Sequence, residues 1–126
     1  MSRSCRALLL AGVIGLSAVP LRAEPVMVGG DETVDACPSA GEVRGLNPKG
    51  DNFLAVRNGP GPSHRLLDKI QTGQAVYLCD ERRGWYGIVY GGEGCGVTSP
   101  VLWREAYAGP CRSGWVSARF IRVTAG

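Results

Sequence analysis

Four cysteines, Cys37, Cys79, Cys95 and Cys111, commit most directly to a chemistry by their type and spacing. Their successive gaps of 42, 16 and 16 residues contain no Cys-x-x-Cys pair, the usual start of a thiolate zinc site. In an oxidising compartment the same thiols form two disulfides, with three pairings open. His64 is the one histidine of the chain, so a multi-histidine metal site is excluded. It follows Gly59-Pro60-Gly61-Pro62-Ser63, with no cysteine left free as a nucleophile. It therefore reads as an exposed loop residue rather than a general base. Asp80 and Glu81 are adjacent and would point apart on a strand, a poor start for a paired acid and base. Gly91-Gly92-Glu93-Gly94 has the glycine content of a phosphate-cradling loop, but no lysine and helix follow it. The residues point away from an enzyme, a metal and a cofactor, and toward binding.

The elements that must position any binding residue begin after a leader. Residues 1–23 read as a secretory signal: Arg3 and Arg6 open it, residues 7–19 are apolar or small, and Pro20-Leu21-Arg22-Ala23 supplies a cleavage region. The apolar stretch falls short of the roughly 20 residues that span a bilayer, so no membrane span is expected after cleavage. Cys5 leaves with the leader. The formal charge of +3 falls to zero once Arg3, Arg6 and Arg22 are removed, with 11 basic residues against 11 acidic ones. That balance argues against a nucleic-acid binder, whose affinity rests on phosphate neutralisation. The expected location is exported, in the periplasm or the medium.

Nineteen glycines and eight prolines point to turns and short strands rather than long helices. Residues 24–52 read as an N-terminal arm with little periodicity, followed by a domain over 53–126. Leu54 and Val56 alternate with Phe53, Ala55 and Arg57, which marks a strand. Further strands are expected at 75–79 and 85–90, and Gly114-Trp115-Val116-Ser117 and Phe120-Ile121-Arg122-Val123 close the domain. Between them, residues 91–113 form a long glycine-rich connection.

Leu54-Ala55-Val56-Arg57-Asn58-Gly59-Pro60-Gly61 resembles the "LNVRSGPG" opening of bacterial SH3 (SH3b) domains. Gly73-Gln74-Ala75-Val76 is similar to their "KGxxV" strand, and Gly84-Trp85-Tyr86-Gly87-Ile88 to "GWYKV". Gly114-Trp115-Val116-Ser117-Ala118-Arg119-Phe120-Ile121 is similar to the closing "GWVSSRYL". The resemblance implies an all-β fold, a small, partly open SH3-like barrel of five to six short strands. The chain departs from that pattern through Cys37 in the arm and through the insertion 91–113, which carries Cys95 and Cys111.

Parity places Cys79 on the face opposite Val76 and Leu78, within reach of an exterior arm. Cys95 and Cys111 would close the insertion into a loop. Cys37–Cys79 with Cys95–Cys111 is therefore favoured among the three pairings. On the strand 85–90 the resemblance gives Tyr86, Ile88 and Tyr90 to the core, leaving Trp85 on the outer face. There its indole offers a flat contact with one donor, or packs beneath the arm or insertion. Trp115 is expected to pack at the barrel edge. Trp103 and Tyr107, four apart, would meet on a short helical turn as an aromatic patch, or fold back over the barrel. Arg57 can take a carboxylate through two parallel hydrogen bonds, or pair with Asp68 or Asp80 to hold its loop. Asn58 stands in the same loop.

The expected function is a non-catalytic module that recognises cell-wall peptide (peptidoglycan) or an envelope protein through Trp85, Arg57, Asn58, Trp103 and Tyr107. The alternative is a structural or inhibitory envelope protein that docks a partner through the Cys95–Cys111 loop.

Overall fold

A computed structural model describes residues 21–126, so the expected leader 1–23 lies almost wholly outside the described residues. Among those residues the chain is all-β. Its strands are β1 (Met27–Val28), β2 (Ser39–Val43), β3 (Leu54–Arg57), β4 (Leu66–Ile70), β5 (Ala75–Arg82), β6 (Trp85–Tyr90), β7 (Glu105–Ala106), β8 (Arg112–Ser117) and β9 (Ile121–Ala125). A single 3-10 turn, Ala118–Phe120, joins β8 to β9.

Seven strands form one antiparallel sheet in the order β4-β3-β8-β6-β5-β2-β9. β5 and β6 are joined by a two-residue hairpin, in which Arg83 (φ 51°) and Gly84 (φ 83°) both adopt the left-handed conformation. That turn matches the natural twist of paired strands, and glycine is the residue that adopts it without strain. Tyr86, Ile88 and Tyr90 of β6 face a core with Val43, Leu54, Val56, Ile70, Val76, Leu78 and Val116. The sheet rolls around this core, because residues just after β2 and residues of β3, four positions apart in the strand order, border one groove. It does not close: β4 and β9 remain as its two edges.

Residues 24–52 are more than an arm. β2 lies between β5 and β9 in the sheet, with Val43 wholly buried. Its sequence, Ser-Ala-Gly-Glu-Val, offers almost no β-branched signal. Gly41 is needed for close approach, since a Cβ there would stand 2.8 Å from Ile121 Cγ2 and 2.9 Å from the Arg122 carbonyl oxygen.

The outer face of the sheet carries a second layer. β1 from the arm and β7 from the insertion pair as a two-stranded ribbon. Val28, Ala36, Cys37, Cys95 and Val97 pack there on Val89 of β6, with Tyr107 beside them. Disulfides join Cys37 to Cys79 and Cys95 to Cys111. The insertion is therefore a packed layer, spanning the residues between β6 and β8.

A bulge between Leu78 and Asp80 breaks the parity of β5. Asp80 then sits opposite Gly87 on the outer face, where strict alternation from Val76 and Leu78 would have put it inside. Its carboxylate accepts from the Met27 amide (3.3 Å) and pairs with Arg104 (3.3 Å), tying arm and insertion to the sheet. Trp115 is not at an edge. It lies in β8, between β3 and β6, wholly buried under the arm, and its indole N–H donates to the Glu24 carbonyl at 2.7 Å.

Candidate binding groove

Phe53, Ala55 and Arg57 share the face of β3 that points away from the core. That face meets Trp85 at the start of β6 and Phe120 on the 3-10 turn, and together they border a groove of about 450 Å³. Pro62 from the loop after β3 forms part of its wall. Each aromatic is set by a local rule. Trp85 follows the hairpin glycine directly, and its backbone is opposite Ser117 of β8. Phe120 is held because the Arg44 amide donates to its carbonyl oxygen at 2.9 Å.

Two cations stand over aromatics that line the groove. The Lys69 ammonium stands 4.5 Å from the centre of the Phe53 ring, and the Arg119 guanidinium 5.8 Å from that of Phe120. Such contacts keep the charge near the apolar floor without removing it from water. Asp51 is the acid among the lining residues. Another hollow of about 460 Å³ lies beside Asp80, Glu81 and Arg104, but its Asp80 carboxylate is already paired with Arg104.

Arg57 neither pairs with Asp68 nor with Asp80. One guanidinium nitrogen donates to the His64 carbonyl at 3.0 Å and so pins the loop 58–64, while the side chain borders the groove. Asp68 is instead bound by the Tyr90 hydroxyl (2.8 Å) and by Arg112 (3.1 Å). The Tyr90 hydroxyl holds the Asp68 carboxyl below the usual carboxylate range. Burial, and then the Asp68 carboxylate, push the Tyr90 phenol up.

Asn58 is occupied in holding the loop. Its side-chain oxygen accepts from the Arg65 amide (3.1 Å), its own amide donates to the Arg65 carbonyl (3.0 Å), and its carbonyl accepts from Glu24 (2.8 Å). His64 is half-buried rather than exposed, because its ring lies on Gly59. A Cβ at Gly59 would fall 2.1 Å from His64 Nδ1, which is buried with no hydrogen-bond partner among the described residues.

Trp103 and Tyr107 do not meet on a helical turn. The segment between them runs as β7 along β1, so pairing with the arm overrides the helical spacing. Tyr107 packs in the second layer, where its hydroxyl donates to the Cys95 carbonyl (2.8 Å) and accepts from the Cys111 amide (3.1 Å). Trp103 stands 76% exposed at the insertion tip and is not among the residues lining the groove.

Of the five expected binding residues, the groove unites Trp85 and Arg57. It adds Phe53 and Phe120, which were not singled out beforehand. The signal for Phe53 was present in the alternation that placed it with Ala55 and Arg57. Phe120 needed the 3-10 turn. Comparison with family models, with curated proteins and with solved structures yields no match.

Proposed function

We propose that this protein is an exported, non-catalytic SH3-like module of the SH3b kind, whose groove recognises cell-wall peptide. The observation that carries the reading is the convergence of Trp85, Phe53, Phe120 and Arg57 on one groove, with Lys69 and Arg119 over two of its rings. A flat aromatic floor suits an extended peptide backbone. The guanidinium has donors beyond the one given to His64, and these suit a peptide carboxylate. The four SH3b-like motifs fall on β3 and its loop, on the entry to β5, on the hairpin and β6, and on β8 through to β9. Two disulfides are in keeping with an oxidising, exported setting. No helix among the described residues is long and apolar enough to cross a membrane.

The test is co-sedimentation of oxidised residues 24–126 with purified peptidoglycan. Wild-type protein is expected in the pellet. Trp85→Ala is expected to weaken binding by at least about thirtyfold, as loss of a central aromatic anchor does. Soluble wild-type protein at saturating peptidoglycan removes the reading.

A second reading, a structural or inhibitory protein docking an envelope partner through the Cys95–Cys111 loop, is favoured by the exposure of Trp103 and Leu102 at the loop's tip. A partner whose binding survives Trp85→Ala and is lost with Trp103→Ala selects it.

A further inference from the structure

The charges of this molecule are sorted by layer. The second layer, residues 25–38 with 91–111, holds the acids Asp31, Glu32, Asp35, Glu93 and Glu105 against the single base Arg104, a net −4. The rest of 24–126 holds ten basic and six acidic residues, a net +4. Arg104 is itself engaged by Asp80. The separation is invisible in the total charge, which is zero over the same residues.

The acidic layer presents an apolar tip. Trp103 and Leu102 are exposed, and the neighbouring loop adds exposed Val34. The tip is braced rather than loose. The Gly30 amide donates to the Val101 carbonyl (2.9 Å), the Ala36 amide to that of Ser99 (2.9 Å), and Asp31 bridges to Val101 as in an antiparallel pair. A Cβ at Gly29 would fall 2.7 Å from the Trp103 carbonyl oxygen, so the arm runs directly beneath the tip. Holding the backbone that carries an exposed indole lowers the ordering cost of docking it.

The basic layer carries the complementary charge. Its groove is lined by Phe53, Trp85 and Phe120, with Arg57 beside them and with Lys69 and Arg119 over the two phenylalanine rings. We propose that the protein associates with itself head to tail, the Trp103 tip of one copy's acidic layer seated in the aromatic groove of the next copy's basic layer. The proposal rests on the groove being a binding surface, as in the preceding reading. Charge complementarity names a second copy as the occupant, since one chain carries both a −4 layer with an exposed indole and a +4 layer with an aromatic-lined groove. Such a contact is heterologous, so it continues from copy to copy unless a ring closes. It also places the tip in competition with any wall peptide.

The experiment is analytical ultracentrifugation of oxidised residues 24–126, up to about 1 mM, at low and high salt. Wild-type protein is expected to grow beyond a dimer with concentration, and to dissociate in high salt. Trp103→Ala lacks the tip and Trp85→Ala lacks the groove, so each alone is expected to stay monomeric. Their mixture is expected to form a one-to-one heterodimer and nothing larger, because one variant keeps the groove and the other the tip. Lys69→Glu, an exposed substitution over the Phe53 ring, is expected to weaken association at least about tenfold at low salt and guards against misfolding of Trp85→Ala. Wild-type protein that is monomeric throughout, or a mixture that stays monomeric, overturns the proposal. So does Trp103→Ala that associates as the wild type does. Peptidoglycan sedimentation of Trp103→Ala separates the two readings. Retained wall binding with a monomeric wild type sinks self-association alone, and lost wall binding with an intact heterodimer sinks the wall reading alone.

Discussion

Tyr107→Phe removes one oxygen atom and tests whether the second layer is stapled as its geometry requires. The hydroxyl spans the mouth of the disulfide-closed loop, donating to the Cys95 carbonyl and accepting from the Cys111 amide. The ring can stay where it is, packed among Val28, Val89, Cys95 and Val97. Cys95 is 4% exposed, so its carbonyl gains no water when the hydroxyl leaves. An orphaned buried acceptor costs about 1–3 kcal/mol. Cys111 is less enclosed, and water can satisfy its amide at smaller cost. The sum is about 2 kcal/mol. Urea unfolding with the disulfides intact should show a midpoint lower by roughly 0.7–2 M, at the denaturant slopes usual for small domains. Tyr77→Phe is the control. Tyr77 packs against the same cluster, but its hydroxyl has no hydrogen bond among the described residues, so a change within about 0.5 kcal/mol is expected. Equal effects from the two substitutions would refute the reasoning.

Gly114→Ala is expected to destabilise the fold by about 2–3 kcal/mol, since the added Cβ would lie 2.4 Å from Val56 Cγ1 and 3.0 Å from the Arg57 carbonyl oxygen. Thermal unfolding beside wild type measures it. Asp68 titrates below its ordinary value of 3.8, so its stabilising contribution is present above that pH and is lost as pH falls through the lowered value. Tyr90→Phe removes the main cause, and should flatten the acid limb of a stability–pH curve. Tyr90 itself titrates above 10.0, so the same bond is expected to contribute fully below that pH and to weaken as alkali rises past it.

Alternation was a reliable guide wherever a strand had one covered face and no irregularity. It sorted 54–57 and 85–90 by residue, and the core and groove lie where that sorting put them. It held at Cys79, which lies on the outer face and bonds to Cys37, and it breaks one residue later, where the bulge in β5 carries Asp80 to that same face. It was silent on β2, because a strand built around Gly41 is specified by what its neighbours leave room for rather than by its own propensity. The Trp103–Tyr107 spacing read as helical because spacing sees one chain segment, while β7 is decided by its partner β1. Trp85 and Arg57 were legible as candidates from side-chain type and strand face, and both line the groove. The acidic second layer was not, since arm and insertion are far apart in sequence and their charges add only once packed.

The second layer also decides where the groove can be. Trp85, Gly87 and Val89 share the outer face of β6, yet their fates differ along it. Val89 is sealed under the insertion, and Val26 of the arm lies where a Cβ of Gly87 would come within 3.0 Å. The arm then turns across β8, giving its Glu24 carbonyl to Trp115 and its Glu24 carboxylate to Arg82. Trp85 is the residue of that face which the covering does not reach. The same sheet without this layer would expose Val89 and its neighbours on the outer face, an apolar surface open to unspecific association. Covering Val89 and Gly87 leaves Trp85 as the residue of β6 on that face that borders the groove, together with Phe53 and Phe120. The same layer, having closed the face, carries its own exposed indole on the opposite charge. Burial of one aromatic surface and presentation of another are thus consequences of a single device, the arm and insertion locked by two disulfides.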